Sequence, residues 1–212
     1  MEIVWHGLNT FRLSERRMAS VVTDPYDPSV GLELSKPRGN IVTVSRDDPT
    51  CCYTRGVRGP YKILNTPGEY EIGGVFVTGI PTFLGKKASE GINTVFLFDY
   101  DGLTVCHLGH LGHVPTQAQV EALGQINVLL IPVGGGDGLK PAQASEVISL
   151  LEPSIVIPMR FKIPGLSFTL GTLNRFLKQM GLEKVKPEES LKVTSRGLPS
   201  QTEIVVLEPR KA

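Results

Sequence analysis

Near His107 the hydrophobic pattern of this chain changes. Before that point apolar residues come in short β-branched or aromatic runs, bounded by Gly, Pro, Asn and Asp. After it, similar runs alternate with stretches of helical spacing. Strands first, then strand and helix in turn, fits an α/β domain with two packed mixed sheets and helices on the outer faces. The expected strands of the first part are 3–5, 10–13, 20–23, 41–45, 61–65 and 75–78, with a hairpin of 93–100 and 103–107 over Asp101-Gly102. Residues 67–71 read as a turn and 82–91 as a polar loop. In the second part 116–123 reads as a helix capped by Thr116. Pro141 opens another through Leu151, with Ala144, Val147, Ile148 and Leu151 on one face. A third, 170–180, is stopped by Gly181. Strands are expected at 128–131, 155–157, 191–194 and 204–207. No repeat or linker interrupts the pattern, so 1–212 reads as one domain.

Composition narrows the class of function. A net charge of +1 gives no electrostatic reason to expect nucleic acid or an anionic membrane. No apolar run approaches a membrane span, and the first residues lack a basic-then-apolar signal pattern. Three cysteines, two of them adjacent, make no disulfide framework, so a reducing cytoplasm is expected. Cys51-Cys52 invites a nucleophile or redox reading, with Arg46 and Arg55 near enough in sequence to lower a thiol pKa. The simpler reading is a pair of partly buried free thiols, because adjacent cysteines strain a disulfide.

The most informative stretch is Ile41-Val42-Thr43-Val44-Ser45-Arg46-Asp47-Asp48-Pro49-Thr50-Cys51-Cys52. A short buried strand runs into a polar loop, and a loop held by a core strand is a usual place for chemistry. The segment from Ser45 to Cys51 resembles the Thr/Ser-His-x-His-x-Asp-His motif of the metallo-β-lactamase superfamily. Asp24-Pro25, Pro67-Gly68-Glu69-Tyr70-Glu71, Pro132-Val133-Gly134-Gly135 and Ile157-Pro158-Met159 match framework segments of its lactonase-type branch. The resemblance covers nearly the whole chain and implies the family's αββα sandwich.

It also implies where a dinuclear metal centre would sit. Arg46, Asp48, Thr50 and Cys51 fall where the motif has His, His, Asp and His. His107-Leu108-Gly109 matches the start of a His-x-Gly-Asp motif, with His110 in place of the Asp. Arg160 falls where a last His ligand is usual, and Thr82-Phe83-Leu84-Gly85 replaces a Thr-x-His-Asp segment. Only His107 keeps the family's residue among the positions 46, 48, 50, 51, 107, 110 and 160. Arginine is always protonated and cannot ligate a cation. The expectation is therefore a pocket formed by Arg46, Asp47, Asp48, Cys51, His107, His110 and Arg160 with no metal and no catalytic residue. In it the two arginines turn inward and pair with Asp47, Asp48 or a bound anion. Such a protein is non-catalytic or re-purposed to bind a small anionic ligand or a protein partner. The alternative is a hydrolase with one remodelled zinc site on Asp48, Cys51, His107 and His110, a ligand set zinc accepts.

Three other features have plain readings. Gly134-Gly135-Gly136-Asp137-Gly138 lacks the spacing of a phosphate loop and reads as a strand-to-helix turn. His6 and His113 read as hydrogen-bonded or packing residues. Arg16-Arg17 and Lys86-Lys87 read as solvated loop charges.

Overall fold

In the computed structural model, which describes residues 1–85 and 88–211, the strands form two mixed sheets. The pair Lys86-Lys87 lies outside the described residues. The first part of the chain supplies β1 (Glu2–Gly7), β2 (Thr10–Ser14), β3 (Val21–Thr23), β4 (Ile41–Thr43) and β5 (Lys62–Leu64). With β12 (Leu191–Lys192) they form one sheet in the order β12-β1-β2-β3-β4-β5. The second sheet contains β6 (Gly68–Ile72), β7 (Val75–Phe83), β8 (Ile92–Asp99), β9 (Thr104–His107), β10 (Val128–Pro132), β11 (Ile155–Met159) and β13 (Glu203–Ile204). Its order is β13-β11-β10-β9-β8-β7-β6. Among the described residues the three α-helices, α1 (Gln117–Leu123), α2 (Pro141–Leu151) and α3 (Leu173–Gln179), fall in the second half, as the change of period requires. Among the described residues no helix is long and apolar enough to cross a membrane.

The sheets are held by one apolar cluster that takes residues from both, including Trp5, Phe11, Val21 and Ile41 from the first and Phe96, Phe98, Leu129 and Ile157 from the second. Each such side chain contributes roughly 1.5–3 kcal/mol when fully buried. Strand β10, Val-Leu-Leu-Ile-Pro, is buried along its whole length because it lies between parallel neighbours β9 and β11. Helix α2 turns Ala144, Val147, Ile148 and Leu151 inward, the face its spacing predicts. Thr116 caps α1 through a reciprocal bond with Gln119.

Four local expectations are corrected. Residues 68–72 are not a turn but edge strand β6, paired antiparallel with β7. Alternation of exposed Glu69 and Glu71 with half-buried Tyr70 and Ile72 is the strand period, and it outweighs the local Pro-Gly signal. Strand β7 runs on to Phe83 because β8 offers it partners out to Ile92, so 82–83 are strand rather than loop. Helix α3 starts at Leu173 rather than at residue 170, since Gly171 is a poor helix residue and Thr172 takes the N-cap. Strand β4 stops at Thr43, because the Ser45 amide donates to the Asp24 carboxylate.

Parallel pairing sets the site. β3 and β4 run parallel, as do β9, β10 and β11. Their carboxyl ends therefore gather Asp24, Ser45, His107, Val133 and Arg160 near one edge of the sandwich. The turn after β1 adds Asn9, which reaches the Gly109 carbonyl at 2.9 Å. Open α/β sheets place their sites at such strand ends.

Candidate functional site

The centre of the cluster is Asp24, which is fully buried. Its Oδ1 accepts from the Ser45 amide at 2.7 Å and its Oδ2 from the Ser45 hydroxyl at 2.5 Å. Burial pushes its carboxyl up to about 7, against the opposing pull of the Ser45 bonds, Arg160 and Asn9. The Asp24 amide donates to the Thr43 carbonyl at 2.8 Å, so the β3–β4 pairing fixes the side chain's position.

His110 is also fully buried, and its hydrogen bonds determine its proton. Thr50 Oγ1 gives its hydrogen to Asp48 Oδ1 at 2.6 Å. It can then only accept from His110 Nε2, 3.0 Å away. Nε2 therefore carries a proton, and burial, which disfavours the charged ring, leaves Nδ1 bare. Its bare Nδ1 faces the Asn9 amide nitrogen at 3.3 Å and the Ser45 hydroxyl at 3.4 Å, with Asp24 Oδ2 at 3.9 Å. Burial holds the His110 pKa well below the usual imidazole range, and the charges of Arg160 and Arg46 lower it further. The backbone at this point is tight. Gly109 has φ +59°, and a Cβ there would come within 2.5 Å of Asn93 Oδ1 and 2.6 Å of Ser45 Cβ. That approach lets the His110 amide donate to Asn93 Oδ1 at 2.7 Å.

From Asp48 a chain of ion pairs crosses the mouth of the cluster. Arg46 Nη2 donates to Asp48 Oδ2 at 3.1 Å, and Arg46 Nη1 to Asp137 Oδ2 at 2.6 Å. The other oxygen of Asp137 accepts from Arg160 Nη2 at 2.5 Å. Both carboxyls would be raised by partial burial, but Thr50 and the arginines at Asp48, and Arg160 and Arg46 at Asp137, hold them below the usual carboxylate range. The Arg160 side chain is 4% exposed, whereas Arg46 is 18% and Asp137 38% exposed. Arg160 sits at the end of β11 with φ 51°. The Arg160 guanidinium carbon lies 5.8 Å from the centre of the Phe168 ring. Its Nε and Nη1 are buried without a hydrogen-bond partner among the described residues.

The expected pocket residues separate into three groups. Arg46, Asp48, His110 and Arg160 join this network, with Cys51 beside it. His107 is buried one layer deeper: its Nε2 donates to the Asn9 carbonyl at 2.8 Å, and burial lowers its pKa to about 4. Asp47 is exposed and makes no ion pair among the described residues. Cys51 is completely buried, and its thiol donates to the Arg46 carbonyl at 3.1 Å. Burial and the Asp24 charge drive its pKa upward, so the arginines do not activate it. The three cysteines are free. His6 and His113 are buried and hydrogen-bonded, to Ser35 and to the Val114 carbonyl.

Sequence reasoning missed Asp24 as a site residue, seeing in Asp24-Pro25 only framework, and took Asp137 for part of a plain turn. Asn9 and Asn93, which brace His110, carried no signal beyond being polar residues near strand ends. The potential metal donors also regroup. Asp24, Cys51 and His110 offer ligand atoms within 4.8 Å of one another, while Asp48 and His107 stand apart from that group. An acid, a thiol and a neutral imidazole are a donor set suited to zinc. Against it, the thiol proton is committed to a carbonyl, and two guanidiniums stand close enough to depress the His110 pKa.

Comparison with known proteins agrees with the architecture. The model of the beta-lactamase superfamily domain matches residues 2–160. A Thermotoga maritima protein, assigned to the Zn-dependent hydrolases of the metallo-β-lactamase superfamily, is similar in structure with a TM-score of 0.81. It is 35% identical in sequence, and the match covers 97% of each chain. A metal-dependent hydrolase of Thermococcus kodakarensis is 30% identical over 100 residues, a match that spans 44% of each chain and so less than half of that relative. Another from Koribacter versatilis is 24% identical over 228 residues, covering 90% of this chain and 97% of that one. With the family match running from β1 to the arginine that closes the site, the chain belongs to the metallo-β-lactamase superfamily, on a branch whose relatives are named metal-dependent hydrolases.

Proposed function

We propose that this chain is a metal-free, non-hydrolytic member of its superfamily, whose former metal cage has become a salt-bridged binding site for a small anion. The observation that carries this reading is the bridge Arg46–Asp137–Arg160. Two fixed positive charges stand where the family resemblance calls for ligands, and each is neutralised by a carboxylate of the chain itself. The hydrogen bonds agree with one another without an ion. His110 Nε2 donates to Thr50, Thr50 to Asp48, and both arginines to acids. A divalent ion placed among them would face each guanidinium with a repulsion of about 4 kcal/mol per unit-charge pair at 4 Å.

Calorimetry with zinc on the purified protein tests this, alongside turnover of lactone and phosphodiester substrates with zinc or manganese added. The reading expects neither heat of binding nor turnover. Submillimolar zinc affinity together with metal-dependent hydrolysis overturns it.

One observation favours a second reading, a single zinc on Asp24, Cys51 and His110, whose donor atoms already lie within 4.8 Å of one another. Four-coordinate zinc with three such ligands and a water can activate that water for hydrolysis. This reading requires the Cys51 thiol to leave the Arg46 carbonyl and ionise. It expects zinc binding that Cys51→Ser abolishes.

A further inference from the structure

We infer that Arg46 and Arg160 form a receptor for the carboxylate of a small organic acid, and that Asp137 occupies this receptor as a tethered competitor. The inference rests on the metal-free reading above and names the ligand class of that site. The two guanidiniums come from different sheets, Arg46 from the loop after β4 and Arg160 from the end of β11. They meet on opposite oxygens of one carboxylate, at 2.6 Å and 2.5 Å. Each arginine gives the carboxylate one charge-assisted hydrogen bond, and neither forms the two-pronged fork that a guanidinium can offer.

Asp137 fits the receptor only in part. Arginine has five N–H donors, and the Nε and Nη1 groups of Arg160 are buried with no partner among the described residues. Buried donors left unpaired are costly, and native structures leave few of them. The backbone fixes where the Asp137 carboxylate can reach; a carboxylate free of the chain can turn to engage more of them. The Phe168 ring, half-buried at 5.8 Å from the guanidinium carbon, offers an apolar flank for the ligand's carbons.

Asp137 is also free to leave. Its side chain is 38% exposed at the tip of the turn Gly134-Gly135-Gly136-Asp137-Gly138. Backbone bonds from Gly138 to Gly135 at 3.2 Å and from Gly135 to Leu139 at 3.0 Å close this turn without using the side chain. Rotation about the Asp137 side-chain bonds alone releases both arginines. Charge selects the ligand class. Exchanging one carboxylate for another leaves the local sum unchanged, whereas a phosphate dianion adds a negative charge beside Asp48.

The probes are propionate and inorganic phosphate, titrated by calorimetry into the 212-residue protein dialysed against chelator. A clamp closed about nine-tenths of the time lowers the affinity for an outside ligand about tenfold. Asp137→Ala is therefore expected to bind propionate at least about tenfold more tightly than the wild type, and phosphate more weakly than propionate. Adding Arg46→Gln to Asp137→Ala is expected to abolish binding. Should Asp137→Ala fail to fold, Asp137→Asn, which keeps the volume and removes the charge, makes the same comparison. Equal propionate affinity in wild type and variant overturns the inference, as does binding that survives Arg46→Gln. Tighter binding of phosphate overturns the choice of carboxylate. Metal analysis of the same samples separates the two readings. Propionate affinity that tracks bound zinc counts against the metal-free cage, whereas no affinity in metal-free protein counts against the receptor alone.

Discussion

Replacing Asp24 by Asn removes one ionisation from the centre of the site while keeping its shape. In the folded chain burial moves the Asp24 carboxyl from 3.8 up to about 7. Ionisation therefore costs the folded state more than the unfolded one. Between those two values the native protein holds a proton that the unfolded chain has released, so stability falls as pH rises through the window. At 1.36 kcal/mol per pKa unit, this single group removes about 3 kcal/mol between roughly pH 5 and pH 8. The replacing asparagine has no such titration. Its oxygen can accept from the Ser45 amide and its NH2 can donate to the Ser45 hydroxyl, whose own hydrogen then turns to His110 Nδ1 at 3.4 Å. His6 and His107, bonded to Ser35 and to the Asn9 carbonyl, cancel in the comparison. His6 and His107, lowered to about 4 chiefly by burial, lose stability as pH falls from the imidazole range toward that value, in wild type and variant alike. Urea unfolding at the two pH values, followed by Trp5 fluorescence, gives the difference directly. Asp24→Asn is expected to gain on the wild type by about 3 kcal/mol on going from about pH 5 to about pH 8. Parallel stability curves refute the assignment of a buried, proton-holding Asp24.

Gly109→Ala is expected to destabilise the fold by more than about 3 kcal/mol, because it combines a positive φ with close contacts to Asn93 and Ser45; thermal unfolding checks it. Of the three thiols, only half-buried Cys52 is expected to react with Ellman's reagent in the folded protein, Cys51 and Cys106 being fully buried; rapid release of two or more equivalents contradicts this. Restoring the family residues together, as Arg46→His, Asp48→His, Thr50→Asp, Cys51→His, His110→Asp and Arg160→His, is expected to create zinc affinity measurable by calorimetry. Arg46→His alone is expected to bind none, since Arg160 keeps its positive charge in the same small cluster.

The fold could be read wherever a single physical signal stood alone. The α2 boundaries follow from Pro141 at the first turn and four apolar residues at helical spacing. The β8–β9 hairpin follows from Asp101-Gly102 between two apolar runs. The reading failed where tertiary pairing competed with a local signal. Pro67-Gly68 looks like a turn until β7 is present to pair with β6. The inward arginines were legible because a guanidinium at a ligand position must find an anion. Asp48 was legible as a partner of Arg46, two residues away, but Asp137 was not, because it lies 91 residues from Arg46 and 23 from Arg160. Asp24 was overlooked because its role depends on the parallel register of β3 and β4, which sets Ser45 against it. His107 kept the family's residue yet is tied to the Asn9 carbonyl, a contact made across 98 positions of sequence.

The central claim, a cage kept together by its own ion pairs rather than by metal, is tested most directly by the metal content of the protein. The chain would be expressed in zinc-supplemented medium, purified without chelator and measured by plasma mass spectrometry. The account predicts well below roughly 0.1 equivalent of zinc, iron or manganese, a level expected when fixed positive charges oppose an ion. About one tightly held equivalent, lost in Cys51→Ser or in a His110→Ala variant that still folds, contradicts it and transfers the site to zinc chemistry.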